Sequence, residues 1–490
     1  MKLTAKEKIV GIKKQDTVAI FSTEENSAEI REILPEQARY LLDDIDTSFF
    51  RGKESETLFI PLNSRPNLIL CGLGKKQSLD SEKIRICGSV LAQACRDQRI
   101  VKVHLICPGA DDTDGRQFVQ SISEGMSLAN YSFNRYKSDT DSVKPLIKEA
   151  VVYTGVDDAK KILRQVEIIT ENVKLCRDLV NETSDNTTPQ AVAAIARKIA
   201  GNSRTSCTVY DRKQLEDMKM GLLLAVNRGS SAQPRLVVLT YNGGKKGEAP
   251  VALVGKGVTF DSGGINLKPS GHIETMRMDM AGAAAVMYTV KTAAELGLKK
   301  NICAVIPLTD NMLSSNSYRP GDVYTSFSGK TVEIGNTDAE GRLILADALA
   351  FTETKIKPSR IIDMATLTGA CVVTFGETIA GYLTDNSELS DSISRAGENT
   401  GEKVWRLPMD SGYSENIKSE IADINNISSE KNAGTIIGAV FLKNFVKDTP
   451  WAHIDIAGTA WSSRQRGYRP KYATGYGVRL LSDIIMGLDI

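Results

Sequence analysis

Six apolar residues divide this chain. Ile162, Val166, Ile169, Val173, Cys176 and Val180 recur at intervals of 4, 3, 4, 3 and 4, which places them on one face of an α-helix. The polar, turn-rich run from Asn181 to Pro189 ends that helix. On its N-terminal side, Val18–Phe21, Leu68–Cys71 and residues 101–106 read as strands, with residues 82–97 and 115–129 as helices between them. On its C-terminal side the alternation resumes with more apolar strands at 236–239, 251–254, 302–306 and 361–364, and helical patterns at 280–296 and 342–354. A chain of 490 residues is too long for one ordinary core. The expectation is therefore an α/β protein of two domains: a smaller N-terminal α/β domain over residues 1–155, a connecting helix and linker over 156–188, and a larger C-terminal α/β domain over 189–490. Strands apolar on both faces call for a mixed, mostly parallel sheet covered by helices in that second domain. In such sheets, sites form at the carboxyl ends of strands.

The charge balance excludes several function classes. Formal net charge is +1, and no basic stripe argues for nucleic acid. No apolar run reaches the roughly 18 residues of a membrane helix, and the first residues lack the apolar core of a secretory signal, so a cytoplasmic protein is expected. Eight scattered cysteines form no CxxC pair, and read as small core residues in a reducing compartment. Only three histidines are present, His104, His272 and His453. An imidazole-built metal site is thereby nearly excluded, and any metal must be held mainly by oxygen. His453 reads as a core histidine, His104 as buried in the first domain and His272 as a surface residue.

The chemistry concentrates in a few segments. In Asn336-Thr337-Asp338-Ala339-Glu340-Gly341-Arg342-Leu343, two carboxylates lie one residue apart where an apolar helix begins. In an extended segment Asp338 and Glu340 would point the same way and repel unless a cation lay between them. Read by itself, the segment is also compatible with a solvated acidic turn capping a helix. Lys256, Asp261 and Lys268 occupy a glycine-rich loop after a strand. The loop lacks the upstream glycine and the following Ser/Thr of a phosphate-binding loop, and Asp261-Ser262-Gly263-Gly264 lacks the histidine and barrel that a serine-protease reading needs. Asp279 precedes a helix of small residues, where it serves either as an N-cap or as a buried ligand. Together Asp261, Asp279, Asp338 and Glu340 supply four negative charges, which two divalent ions would neutralise. An arginine at a helix start favours an anion there, and a nearby lysine can steady an oxyanion.

At this point the chain resembles the leucyl aminopeptidase family of dinuclear metallopeptidases. The resemblance rests on the octapeptide above, the Gly255–Lys268 loop, residues 276–286, Tyr318-Arg319-Pro320-Gly321-Asp322-Val323 and Ala365-Thr366-Leu367-Thr368-Gly369-Ala370, in order and spacing over most of residues 170–490. It implies that Lys256, Asp261, Asp279, Asp338 and Glu340 are metal ligands, with Asp261 and Glu340 bridging the ions. It implies that Lys268 and Arg342 are catalytic, with bicarbonate held by Arg342 and the helix start as a proton shuttle. Met276, Asn336, Thr366, Leu367 and Gly369 are implied to hold the substrate. The implied activity is removal of N-terminal residues, leucine-like ones preferred, from peptides. It uses two divalent ions per subunit (zinc or manganese, with magnesium a further candidate) and a bridging water or hydroxide. A homo-hexamer is implied, with no membrane partner. A side role in DNA binding, reported for some relatives, is disfavoured by the near-zero charge. Leu313, Ser315 and Asn227 depart from the family's usual residues, in loops remote from the ligand set. The competing enzyme reading, a two-metal phosphoesterase, is disfavoured by the lysine-bearing loop and the octapeptide.

Overall fold

The computed structural model describes residues 1–32, 34–107, 115–139, 143–201 and 204–488. They divide into two compact units, Met1–Lys174 with Arg464–Lys471, and Leu175–Ser463 with Tyr472–Ile490. No described helix is long and apolar enough to cross a membrane.

The first unit is built on Lys2–Lys6 (β1), Thr17–Ser22 (β2), Thr57–Ile60 (β3), Asn67–Gly72 (β4), Ser81–Asp97 (α1), Lys102–Ile106 (β5), Gly115–Ala129 (α2) and Glu149–Tyr153 (β6). Its sheet has the order β1-β6-β5-β2-β4-β3, with only β3 antiparallel to its neighbour. The strands expected within 18–21, 68–71 and 101–106, and both helices, are present. β1, β3 and β6 went unread; β1, Lys-Leu-Thr-Ala-Lys, is a half-polar edge strand with little apolar signal. Side chains of opposite parity feed two separate cores. Ala19, Phe21, Ile69 and Leu105 face α1 and α2, whereas Val18, Ile20, Leu68 and Ile106 face the other way. His104 is buried on the second face, between Asp16 Oδ2 and the Tyr153 hydroxyl, each at 3.1 Å.

The expected long helix is Ala159–Asn181 (α3), and all six stripe residues are buried. Ile162 and Val166 belong to the first unit's core. Beyond it come Pro189–Ile199 (α4), Thr205–Tyr210 (β7), Arg212–Asp217 (α5), Gly221–Asn227 (α6), Arg235–Asn242 (β8), Val251–Gly255 (β9), Gly257–Asp261 (β10), Ala281–Leu296 (α7), Asn301–Asn311 (β11), Val323–Thr325 (β12), Thr331–Glu333 (β13), Gly341–Phe351 (α8), Arg360–Ala365 (β14), Gly369–Phe375 (α9), Ala380–Thr384 (β15), Ser387–Thr400 (α10), Val404–Arg406 (β16), Ile424–Asn425 (β17), Gly434–Lys443 (α11) and Trp451–Asp455 (β18). The large sheet runs β16-β15-β18-β14-β9-β11-β8-β7, with β10 paired to β11. Its centre, β18-β14-β9-β11, is parallel, and β15, β8 and β7 bring in the antiparallel pairings. The central strands are buried throughout: every residue of β9 and β18 is buried. That is why β9 reads as a continuous apolar run rather than an alternating one. All eight cysteines are free, seven of them buried and Cys207 partly so.

Candidate active site

Small residues bring the site's elements together. A Cβ on Gly255, at the end of β9, would lie 2.7 Å from the carbonyl oxygen of Gly282 in α7, and one on Gly282 would lie 2.1 Å from that of Met364 in β14. The glycine- and alanine-rich start of α7 thus lets the helix press directly on the strand ends. Lys256 is fixed at this crossing. Its N–H donates to the Met364 carbonyl at 3.1 Å, and its own carbonyl accepts from Ala283 N at 2.9 Å. After β10 the chain turns through Gly263 (φ +86°), where a side chain would strike the Asn266 carbonyl. That turn returns Lys268 toward Asp261.

Two expectations about local geometry are corrected. Asp338 and Glu340 do not lie in an extended segment. They occupy a turn into α8, in which Ala339 N donates to Asn336 O and Asp338 N donates to Asn336 Oδ1. The two carboxylates still converge, because the turn folds them onto one cavity. Asp279 does not cap α7 either: the cap position is Met280, with no side-chain cap bond, and the Asp279 side chain turns into the site.

The resulting cluster alternates in charge. Lys256 Nζ lies 2.9 Å from Asp279 Oδ2 and 2.8 Å from Glu340 Oε1. Lys268 Nζ lies 2.8 Å from Asp261 Oδ2 and 2.6 Å from Asp338 Oδ1. Lys256, Asp261, Asp279 and Glu340 are at most 4 % exposed. Asp261 is oriented by hydrogen bonds from Gly263 N (2.9 Å) and Asn311 Nδ2 (2.8 Å), and Asp279 by the Thr366 hydroxyl (2.7 Å). Four carboxylates against two ammonium groups leave two negative charges uncompensated within the ion-paired set.

The titration behaviour follows from that excess. Burial, reinforced by the charges of Glu340 and Asp279, pushes Asp261 well above the usual carboxylate range. Burial raises Asp279 to about 7 against the pull of Lys256. Asp338 is raised by burial and by Glu340. At Glu340 burial acts upward too, but Lys256 and Lys268 outweigh it and hold the carboxyl below its ordinary value. Both lysines are raised: burial opposes this, and the surrounding carboxylates prevail. Burial lowers the Arg342 guanidinium to about 10.

A cavity of about 470 Å³ opens on the cluster. Its wall carries ten of the twelve residues singled out from sequence, namely Lys256, Asp261, Lys268, Met276, Asp279, Asp338, Glu340, Thr366, Leu367 and Gly369. Asn336 and Arg342 stand outside the wall. Asn336 supports the octapeptide turn, its backbone clamped by Asn426, and Arg342 Nη1 donates to the Asn426 carbonyl at 2.8 Å. Asn311 and Asn426, both fully buried, were missed by sequence reading, since a lone buried asparagine leaves no periodic or motif signal. Val372, Ala457 and Trp461 add apolar surface to the wall, which also carries Glu377. His272 is exposed yet reaches this cavity, and His453 is fully buried, with Nδ1 2.6 Å from Asp363 Oδ1.

The donor set suits divalent cations. Asp261, Asp338 and Glu340 each offer an oxygen, all within 4.8 Å of one another. The buried oxygens Asp279 Oδ2 and Asp338 Oδ1 are met by the ammonium groups of Lys256 and Lys268, but four carboxylates in so small a space carry more negative charge than two ammonium groups neutralise, an excess that divalent cations would offset. A buried, oxygen-rich, over-negative cluster at the mouth of a mixed α/β sheet defines a metal-dependent hydrolase.

Comparison with known proteins resolves which one. Residues 174–482 match the catalytic domain, and residues 17–140 the N-terminal domain, of the cytosol aminopeptidase family. The chain is 42 % identical over 456 residues to the "Probable cytosol aminopeptidase" of Protochlamydia amoebophila, spanning 92 % of this chain and 91 % of that one. It is 44 % identical over 447 residues to the namesake from a Geobacter species, 90 % of each chain. Among solved structures, a mutant of tomato leucine aminopeptidase superposes with a TM-score of 0.87 at 32 % identity, over 99 % of this chain and 96 % of the other. The bottromycin maturation enzyme BotP in complex with Mn gives 0.84 at 31 %, over 96 % and 98 %. The chain belongs to the cytosol aminopeptidase family and is a metal-dependent aminopeptidase.

Proposed function

We propose that this aminopeptidase removes leucine-like N-terminal residues from peptides, using two divalent ions held by Lys256, Asp261, Asp279, Asp338 and Glu340. The observation that carries the reading is the convergence of four carboxylates and two lysines, distant in sequence, on one cavity. When bound, such ions acidify a water and draw electron density from a peptide carbonyl. Zinc or manganese is the expected occupant, with magnesium a further candidate; the BotP structure contains Mn. Lys256 serves as a ligand through a neutral amine, and a dication beside it favours loss of the proton.

The chain's own groups do the rest. Lys268, whose side chain is 15 % exposed, reaches the cavity and donates to oxygen where negative charge develops on the scissile carbonyl. Asp261 is held rigid by Gly263 and Asn311, so it need not reorganise as that charge forms. Arg342 lies at the second position of α8, and a bicarbonate there, favoured by the helix N-terminus, would shuttle the proton to the leaving amine. Met276, Thr366, Leu367 and Gly369 line the substrate side. Asn336 acts through the turn it braces. The working organisation remains an N-terminal domain of residues 1–155, a connector of 156–188 and a catalytic domain of 189–490, in a cytoplasmic homo-hexamer. The decisive assay compares leucine release from leucyl amide with phosphate release from nitrophenyl phosphate. Leucine release that stops on chelation and returns with Mn²⁺ or Zn²⁺ is expected, and phosphate release alone would overturn the reading.

A further inference from the structure

The mechanism above leaves several fully buried carboxylates unused, Asp347, Asp363 and Asp455 among them. Asp455 ends β18, opposite Ala365 of β14, and has no exposed surface. A carboxylate in that position costs several kcal/mol in lost hydration unless donors surround it. Its donors all come from the loops that the two strands feed. Oδ1 accepts from Leu367 N at 3.1 Å and Ala457 N at 3.0 Å, and Oδ2 accepts from the Thr368 hydroxyl at 2.7 Å.

The first of these contacts matters for the site. A peptide's N–H and C=O point in opposite directions. The peptide that gives its N–H from Leu367 to Asp455 therefore turns its oxygen, that of Thr366, the other way. There it accepts a hydrogen bond of 2.8 Å from Lys256 Nζ. One rigid amide thus links a buried anion to the lysine nitrogen, and the charge-assisted bond at its N–H end strengthens the acceptor at its oxygen end. The same loop is tied on either side by the Thr366 hydroxyl on Asp279 and by Thr368, which also accepts from Cys371 N at 3.1 Å and starts α9.

We propose that Asp455 is a positioning residue. By gripping the Thr366–Leu367 peptide it fixes one N–H direction of Lys256, so that the nitrogen's two remaining directions point at the ligand cluster, toward Asp279 and Glu340. This rests on the reading of Lys256 as a metal ligand. Asp455 does not line the cavity, and its influence is directional.

The test uses the full-length protein with Mn²⁺ alone as probe, its retention measured against a competing chromophoric chelator, alongside thermal melting of the metal-free proteins and steady-state kinetics on a leucyl anilide. Asp455→Asn preserves shape and the Leu367 acceptor but removes the charge. It is expected to melt near the parent, hold Mn²⁺ about fivefold less tightly and lose kcat with KM nearly unchanged. Asp455→Ala is expected to lose more than about tenfold in Mn²⁺ retention. Parental Mn²⁺ retention and kcat in both variants would overturn the proposal; if Asp455→Ala does not fold, parental values in Asp455→Asn alone would do so. A parent protein that binds no Mn²⁺ would instead remove the metal reading on which the proposal stands.

Discussion

Replacing Glu340 by alanine should separate metal binding from folding. In the metal-free protein the change removes an ion pair of 2.8 Å with Lys256, about 6 kcal/mol by Coulomb's law at an effective dielectric constant of about 20. It also removes repulsion from Asp261 and Asp338, whose ligand oxygens lie within 4.8 Å, at least about 3.5 kcal/mol each on the same scale. Loss and relief offset one another only in part, because Lys268 also attracts Glu340 and the two lysines together hold its carboxyl below the ordinary value. Lys256 also keeps Asp279 at 2.9 Å, so the metal-free variant should melt within a few degrees of the parent. With ions present there is no such offset. Withdrawing one buried anion from the cations it faces costs on the order of 3–5 kcal/mol, a factor of about 10² to 5 × 10³ in retention. Elemental analysis after dialysis against a chelator, leucyl-amide hydrolysis and a thermal melt test this together. Glu340→Gln, which keeps the volume, guards against a packing artefact. Full-rate cleavage by metal-free protein, or undiminished metal content in Glu340→Ala, would refute the reasoning.

Lys268→Ala should keep its metal content yet lose about 10²-fold or more in kcat, as expected for a lost oxyanion donor; an unchanged rate at equal metal content removes Lys268 from the mechanism. Asp347→Ala strands the backbone N–H groups of Leu222, Leu223 and Phe327, which Asp347 accepts at 3.0, 3.0 and 2.7 Å. At about 1–3 kcal/mol for each buried orphan, stability should fall by about 3 kcal/mol or more, and an unshifted denaturation midpoint would contradict this. The two buried histidines should respond to pH in opposite senses. Burial lowers His104, so its folded form prefers the neutral ring, and stability present above its unfolded value, near pH 6.5, should be lost on acidification. At His453 burial also acts downward, but Asp363 outweighs it and raises the group. Its contribution is therefore present below about pH 6.5 and lost as pH rises through the folded value. His104→Gln should flatten the acid side of the melting-temperature profile and His453→Gln the alkaline side; identical profiles in parent and variants would rule both out.

What could be read in one dimension was whatever repeats or clusters locally. The stripe from Ile162 to Val180 declares α3 because every third or fourth residue must meet the same surface. β9 and β11 announced themselves by apolar runs and β14 by one that only Asp363 interrupts, and the octapeptide carried its carboxylates with a single residue between them. The sequence by itself therefore determined the elements, the division between two α/β runs and the chemical type of the donors. It could not show why Gly255 and Gly282 must lack side chains, nor that Asn311 and Asn426 would brace Asp261 and the Asn336 turn. It also led to the wrong local geometry at Asp338, and it left open for Asp279 a helix cap that the fold excludes. Those matters depend on strand neighbours far apart in the chain. Placing β14 between β9 and β18 sets Met364 beside Gly255 and Ala365 beside Asp455, so that Lys256, Thr366 and Asp455 fall into one line. Only the tertiary structure could decide this, because register is settled by burial across the whole sheet and hydrogen-bond direction by the peptide planes that register fixes.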